Sequence, residues 1–365
     1  MRAVAFAYHN MGIAGLEALK RAGFDILAVF SHADDPDEKC WFASVVSWAQ
    51  ERHIPVNCPE DVNGPEWVAR IASLAPEAIF SFYYRKLLGN EILAIPRAGA
   101  FNLHGSLLPA YRGRVPVNWV LVNGEERTGV TLHYMTAKPD AGDIVGQRAV
   151  EIDFTDTAFT LYGKLCREAA ILLDEVLPLI RKGRAPRIPQ DAARATYFGG
   201  RKPADGRIDW TWPARRIYNL IRAVTDPYPG AFTFLPEGEK MMIWWGLPEE
   251  AEPPSAGEGV APETMPAVSP EKILSRGRLA DDPSGDDVIG KRNLFAADSN
   301  GERGEEHVGS AGTQPGLAFA DDEGRVCVQT GEGRLRLLDI EIVGRRMKGE
   351  EIGAYFRRRD RTILV

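Results

Sequence analysis

The residues best equipped for chemistry lie in FNLHGSLLPAYRGRVPVNW, from Phe101 to Trp119. Strand alternation along AFNLHG puts Asn102 and His104 on one face, with Phe101 and Leu103 on the other. Gly105 and Ser106 follow at once, so this polar pair is expected at a strand's end. It opens onto a loop holding Pro109, Arg112, Gly113 and Arg114. An asparagine offers a fixed amide dipole, and a histidine moves protons near neutral pH. The plain alternative is an Asn102 that hydrogen-bonds the loop and a His104 that is a satisfied core histidine. A second segment, MTAKPDAGDIVGQ (135–147), follows another strand pattern and adds Asp140 and Asp143. An aspartate beside the imidazole would hold its tautomer and favour its protonated form. Asn as oxyanion donor, His as proton-transfer group and Asp as its orienter suit acyl transfer to an amine.

These segments need a scaffold, and the first half of the chain supplies a repeating one. AVAFAY (3–8), ILAVFS (26–31), AIFSF (78–82), AFNLH (100–104), GVTLHYM (129–135) and DIVGQRAVEI (143–152) read as strands. GLEALKRAG (15–23), SVVSWAQERHI (44–54), EWVARIASLAP (66–76) and TLYGKLCREAAILLDEVLPLIRKG (160–183) read as amphipathic helices. Strands alternating with helices predict an α/β fold, Rossmann-like, with a mostly parallel sheet covered on both faces. Ligands bind such sheets at the carboxyl ends of strands, near the point where strand order reverses.

Beyond Pro186 the pattern changes. IDWTWPARRIYNLIRAV (208–224) reads as a strand entry and a helix, while AFTFL (231–235), KMMIWWG (240–246), GRVCVQTG (324–331) and GRLRLLDIEI (333–342) predict strands, with QTGEG a hairpin turn. The expected domains are a catalytic one over 1–188 and a small OB-like β-barrel over 189–247 and 316–365. The stretch 248–315 is rich in Pro, Gly, Ser, Glu and Asp, and Phe295 is its one aromatic residue. Too little apolar surface is available there to offset ordering, so a disordered insertion is expected. A turn or two of helix at EKILSRGRL (271–279) is its one candidate element.

Composition narrows the function classes. The 365 residues carry a formal net charge of -7, which argues against a nucleic-acid partner. Cys40, Cys58, Cys166 and Cys327 form no CxxC pair, so a metal site or disulfide framework is not expected. No apolar window is long enough to span a membrane and no signal peptide precedes the first strand, which predicts a cytoplasmic protein.

FNLHGSLLPAYRGRVPVNW followed by PDAGDIVGQ resembles the signature of folate-dependent formyltransferases, in the form that carries a second, barrel-like domain. FAYHNMG, SHADDPDEK and FSFYYRKLL are most similar to the sugar-nucleotide branch. That branch includes the transformylase domains of bifunctional polymyxin-resistance proteins. The resemblance covers residues 1–246, resumes at about 317, and implies 10-formyltetrahydrofolate as co-substrate, with no metal. The acceptor it implies is the 4-amino group of a UDP-amino sugar, UDP-4-amino-4-deoxy-L-arabinose, in lipid A modification and polymyxin resistance. It further implies that Asn102 stabilises the transition state, His104 transfers the proton and Asp140 raises the histidine's pKa. The folate would pack against Lys86, Leu87 and Leu88, against Arg114, and against Thr136, Ala137, Lys138, Pro139 and Asp140. No strand–GxGxxG–helix unit follows Val343, so oxidative decarboxylation would need a separate decarboxylase partner. Methionyl-tRNA is the competing acceptor, disfavoured by the acidic SHADDPDEK and the acidic insertion. The basic runs RRIYNLIR (215–222) and GRRMKGEEIGAYFRRRDR (344–361) read as solvated helix faces. A non-catalytic folate- or nucleotide-binding module would have no use for Asn102, His104 and Asp140 together.

Overall fold

The computed structural model describes residues 1–34, 41–249, 314–321, 323–359 and 362–365. Residues 250–313 of the expected insertion, with its candidate helix at 271–279, and most of SHADDPDEK lie outside the described residues, whereas Pro248, expected to begin the insertion, ends a strand.

The first half is built as β1 (Arg2–Ala7), α1 (His9–Arg21), β2 (Asp25–Phe30), α2 (Val45–Glu51), β3 (Val56–Asn57), α3 (Pro65–Ser73) and β4 (Ala78–Phe82). Then come α4 (Asn90–Leu93), β5 (Ala100–His104), β6 (Arg112–Gly113), α5 (Pro116–Val122), β7 (Arg127–Tyr134), β8 (Ile144–Glu151) and α6 (Ala158–Arg181). The main sheet runs β3-β2-β1-β4-β5-β7-β8. Its first five strands are parallel, whereas β7 is antiparallel to both β5 and β8. This is the Rossmann-like, mostly parallel sheet expected from the alternation, and the strand order reverses between β1 and β4.

Helix α1 begins at His9, directly after β1, and not at Gly15 as the apolar spacing suggests. The glycines that obscured its first turns are there for close packing. A Cβ on Gly15 would sit 2.3 Å from the Phe82 ring, and one on Gly12 would sit 3.1 Å from the Ala7 backbone. Helix and sheet touch where a side chain would hold them apart. Helix α5 is likewise unexpected in a Pro/Gly-rich stretch, but Pro116 stands at its first turn, where a missing N–H costs nothing.

The second half holds β9 (Tyr197–Phe198), α7 (Ala214–Val224), β10 (Ala231–Phe234), β11 (Lys240–Pro248), β12 (Leu317–Ala320), β13 (Val326–Gln329), β14 (Arg334–Ile342), β15 (Arg345–Lys348), α8 (Glu350–Arg357) and β16 (Thr362–Ile363). Its antiparallel sheet runs β10-β11-β14-β13-β12-β16, with β15 on β14. The sheet curls into a half-barrel whose edges meet: Phe234 and Val365 exchange backbone hydrogen bonds of 3.0 and 2.9 Å. The basic run at 344–361 is only partly helical. Within β15, Arg346 bonds the buried Asp339 carboxylate at 2.8 Å on each of its two oxygens. The halves are tied through α7, where the buried Arg222 donates to the Asp153 carbonyl at 3.1 Å and the Ala223 carbonyl accepts from Asn118 Nδ2 at 2.7 Å.

Replacing Gly15 with Ala would force the fully buried Phe82 ring from its seat. Chemical denaturation of Gly15→Ala is expected to show a loss of about 1–3 kcal/mol. An unchanged unfolding midpoint would contradict the close-packing account.

Candidate active site

Phe101 and Leu103 enter the larger apolar core, while Ala100 joins a smaller cluster with Val4, Phe6, Ile79, Leu88 and Ile92. The β5 face that carries Ala100 therefore turns polar at Asn102 and His104, as alternation requires. Register places Asn102 opposite His133, and His104 opposite Thr131, on β7.

The loop after β5 is held from beneath. Thr131 Oγ1 donates to the Ser106 carbonyl at 2.6 Å and accepts from Leu108 N–H at 3.2 Å and from Gln147 Nε2 at 2.9 Å. This brings the Tyr111 carbonyl to 2.8 Å from His104 Nε2. A carbonyl can only accept, so Nε2 carries the proton and Nδ1 is the bare nitrogen of the neutral ring. Nδ1 faces Asp140 Oδ1 at 3.6 Å.

Because β7 is antiparallel to β5, the segment that follows it leaves at the amino end of β5, away from His104. Asp140 nevertheless lies against that histidine, so the 135–143 segment folds back across the sheet. Several contacts hold this return. Asp140 has φ of 55°, a backbone region that costs a non-glycine residue about 1–3 kcal/mol. Its Oδ2 accepts from Gly113 N–H at 2.9 Å, and its Oδ1 lies 3.5 Å from His133 Nε2. Gly113, at φ of 100°, has no room for a side chain, since a Cβ would lie 2.2 Å from the Phe198 carbonyl oxygen. Gln190, in the segment joining the two halves, donates to the carbonyls of Asp140 and Gly142 at 2.9 and 2.7 Å. Its Oε1 accepts from the buried Arg112 at 2.6 Å, and Arg112 also bonds the Tyr197 hydroxyl at 2.6 Å.

Burial alone would raise the Asp140 carboxyl. His104, His133 and the Gly113 amide outweigh it and hold the group well below the usual carboxylate range. For His104 the balance falls the other way. Burial pushes the imidazole below its ordinary value, against the upward pull of Asp140 and the Tyr111 carbonyl. Asp140 thus acts on His104 in the expected direction, but desolvation prevails.

The structure brings Asn102, His104 and Asp140 together. The residues expected to hold a folate lie on three segments. Leu88 is buried in the smaller cluster, against which Met135 also packs, so the 86–88 segment and the start of the 136–140 segment share one apolar floor. Leu87 is exposed, and Lys86 Nζ donates to the carbonyls of Pro59, at 3.0 Å, and Glu60. Thr136, Ala137, Lys138 and Pro139 are exposed, with Thr136 Oγ1 donating to the Lys138 carbonyl at 2.9 Å. Arg114 is exposed and reaches Gly200 of the joining segment, while its N–H bonds the Phe198 carbonyl at 2.9 Å. Asp143 is drawn away, 3.5 Å from Arg187. Arg112 is expected in the loop after His104 but without a role, and the sequence marks neither His133 nor Gln190. His133 was visible in GVTLHYM only to a reader who paired that strand with AFNLH. No local pattern marks Gln190.

Residues 7–177 match the formyl transferase domain family, and residues 201–269 match the formyl transferase C-terminal domain. Together these span more than half of the chain, one on each half of the fold. The chain belongs to the formyltransferase family. It is an enzyme, a formyltransferase. The sugar N-formyltransferase from a Shewanella species is similar in fold, with a TM-score of 0.55 at 18% identity over 67% of this chain and 97% of that one. WlaRD, a sugar 3N-formyl transferase crystallised with dTDP and 5-N-formyl-THF, gives a TM-score of 0.51 at 18% identity over 66% of this chain and 93% of its own. HypX from Aquifex aeolicus aligns with 98% of this chain at a TM-score of 0.52 and 16% identity, and this formyltransferase spans 48% of its length. Among the described residues, no cluster of His, Cys, Asp and Glu could hold a metal ion, and no helix is long and apolar enough to cross a membrane.

The buried histidines set an acid dependence. Below the ordinary imidazole value of 6.5 the unfolded chain takes up a proton that folded His104 refuses, so stability falls as pH drops. His9, pushed down to about 3 by burial and then by Arg85, adds to the same trend. The depressed Asp140 adds a later loss, below its ordinary value of 3.8. Unfolding free energy measured from about pH 7 to about pH 5 is expected to decline, with a shallower slope in His104→Asn. Equal slopes would contradict the low imidazole pKa.

Proposed function

We propose that this formyltransferase moves the formyl group of 10-formyltetrahydrofolate onto the amine of a nucleotide-linked sugar, specifically the 4-amino group of UDP-4-amino-4-deoxy-L-arabinose. The observation that carries the reading is the convergence of Asn102, His104 and Asp140 beside an apolar floor of Leu88, Ile92, Ala100 and Met135. A flat, partly polar folate would lie over that floor, its polar edge toward the backbone of segments 86–88 and 136–140. The amine nitrogen attacks the formyl carbon, and Asn102 N–H donates to the oxygen as it gains charge. His104 takes the amine's proton at Nδ1, the nitrogen that Tyr111 leaves bare, and Asp140 stabilises the imidazolium. The C–N10 bond then breaks and the proton passes to N10, leaving a formamide and tetrahydrofolate.

Support for a sugar acceptor comes from the fold neighbours named as sugar N-formyltransferases, and from the acidic balance of the chain, which disfavours an RNA acceptor. Support for the arabinose derivative comes from FAYHNMG and FSFYYRKLL. The product would serve lipid A modification and polymyxin resistance.

Formyl transfer assayed in parallel with UDP-4-amino-4-deoxy-L-arabinose, a dTDP-3-amino sugar and methionyl-tRNA tests the assignment. Turnover of the UDP sugar above both others is expected. Turnover of the tRNA alone would sink the sugar reading, and preference for the dTDP sugar would replace the acceptor. Asn102→Ala and His104→Ala should each slow transfer by roughly a hundredfold or more, and wild-type rates in both would defeat the mechanism.

A further inference from the structure

An asparagine can present either edge of its amide, and only one edge can donate to a developing oxyanion. Something must choose between them. His133 lies directly across the strand pair from Asn102 and is almost wholly buried. Its Nδ1 stands 2.8 Å from the Tyr134 carbonyl oxygen. That oxygen can only accept, so Nδ1 bears the proton and Nε2 of the neutral ring is a bare acceptor. Nε2 in turn lies 3.1 Å from the Asn102 amide nitrogen. Turning Asn102 round would set its carbonyl oxygen against the lone pair of Nε2, two acceptors with no proton between them. One N–H of the asparagine is thereby spent on His133. The other N–H and Oδ1 make no bond among the described residues.

We infer that His133 is a positioning residue: it fixes the orientation of the Asn102 amide, so that the second N–H is presented to the formyl oxygen. The inference rests on the formyl-transfer reading above. Asp140 makes the arrangement conditional. Its Oδ1 is 3.5 Å from the same Nε2, so a proton on Nε2 would be drawn to the carboxylate. Asn102 would then turn its oxygen toward the ring. The orientation holds while Nε2 carries no proton: Oδ2 of Asp140 is taken by Gly113 N–H, and Oδ1 stands between His133 and His104.

The test pairs kinetics with the tautomer. His133→Phe removes the acceptor. His133→Gln restores an amide oxygen at about the reach of Nε2 and a donor for the Tyr134 carbonyl. His133→Phe is expected to lower kcat by roughly tenfold to a hundredfold with little change in KM, while His133→Gln recovers most of the loss. Nitrogen-15 NMR of the full, histidine-labelled chain should show His133 protonated at Nδ1 and bare at Nε2, with the Nε2 resonance shifted in Asn102→Ala. A proton resident on Nε2, a His133→Gln as slow as His133→Phe, or a loss confined to KM would each overturn the inference. If the wild-type enzyme formylates none of the acceptors offered, the formyl-transfer reading fails. The NMR tautomer then still decides whether His133 orients Asn102.

Discussion

A carboxylate taken almost out of water needs a partner, and Asp140 finds its hydrogen-bond donor in the Gly113 amide. Its two oxygens face an imidazole of β5, an imidazole of β7 and the amide of Gly113. An unpartnered charge there would cost several kcal/mol. The demand reaches outward in three directions. The 135–143 segment must fold back over the sheet against its own antiparallel exit. Asp140 must accept a left-handed backbone, and position 113 must be a glycine.

The same sheet face divides into two environments within three residues of β5. Ala100 belongs to an apolar floor shared with Leu88 and Ile92, while Asn102 and His104 start the polar part. A ligand spanning that border would have an apolar body on one side and a reacting carbon on the other. Desolvation also keeps His104 neutral, so that a proton-accepting nitrogen is available without help from solvent.

Much of this was legible in the chain. Period-two alternation assigned Asn102 and His104 to one face, and the alternation of strands and helices foretold the Rossmann-like sheet. What escaped depends on contacts between distant segments. Gly12 and Gly15 look like breaks in a helix until Ala7 and Phe82 are seen against them. His133 has no partner in sequence, because its place opposite Asn102 follows from a strand pairing 31 residues apart. The net lowering of the His104 pKa could not be foreseen either, since a single sequence names the neighbouring aspartate but not the depth of burial that outweighs it.

The segment joining the two halves does more than span them. Gln190 grips the Asp140 turn and the Arg112 guanidinium together, and β9 pairs with β6 directly beside Gly113. Cutting the chain at the composition boundary near residue 188 would thus separate a catalytic loop from its own brace. In modular terms the unit of inheritance is not the sheet domain but the sheet domain plus its tether. An exchange of C-terminal domains that respects the site must place its junction after Phe198.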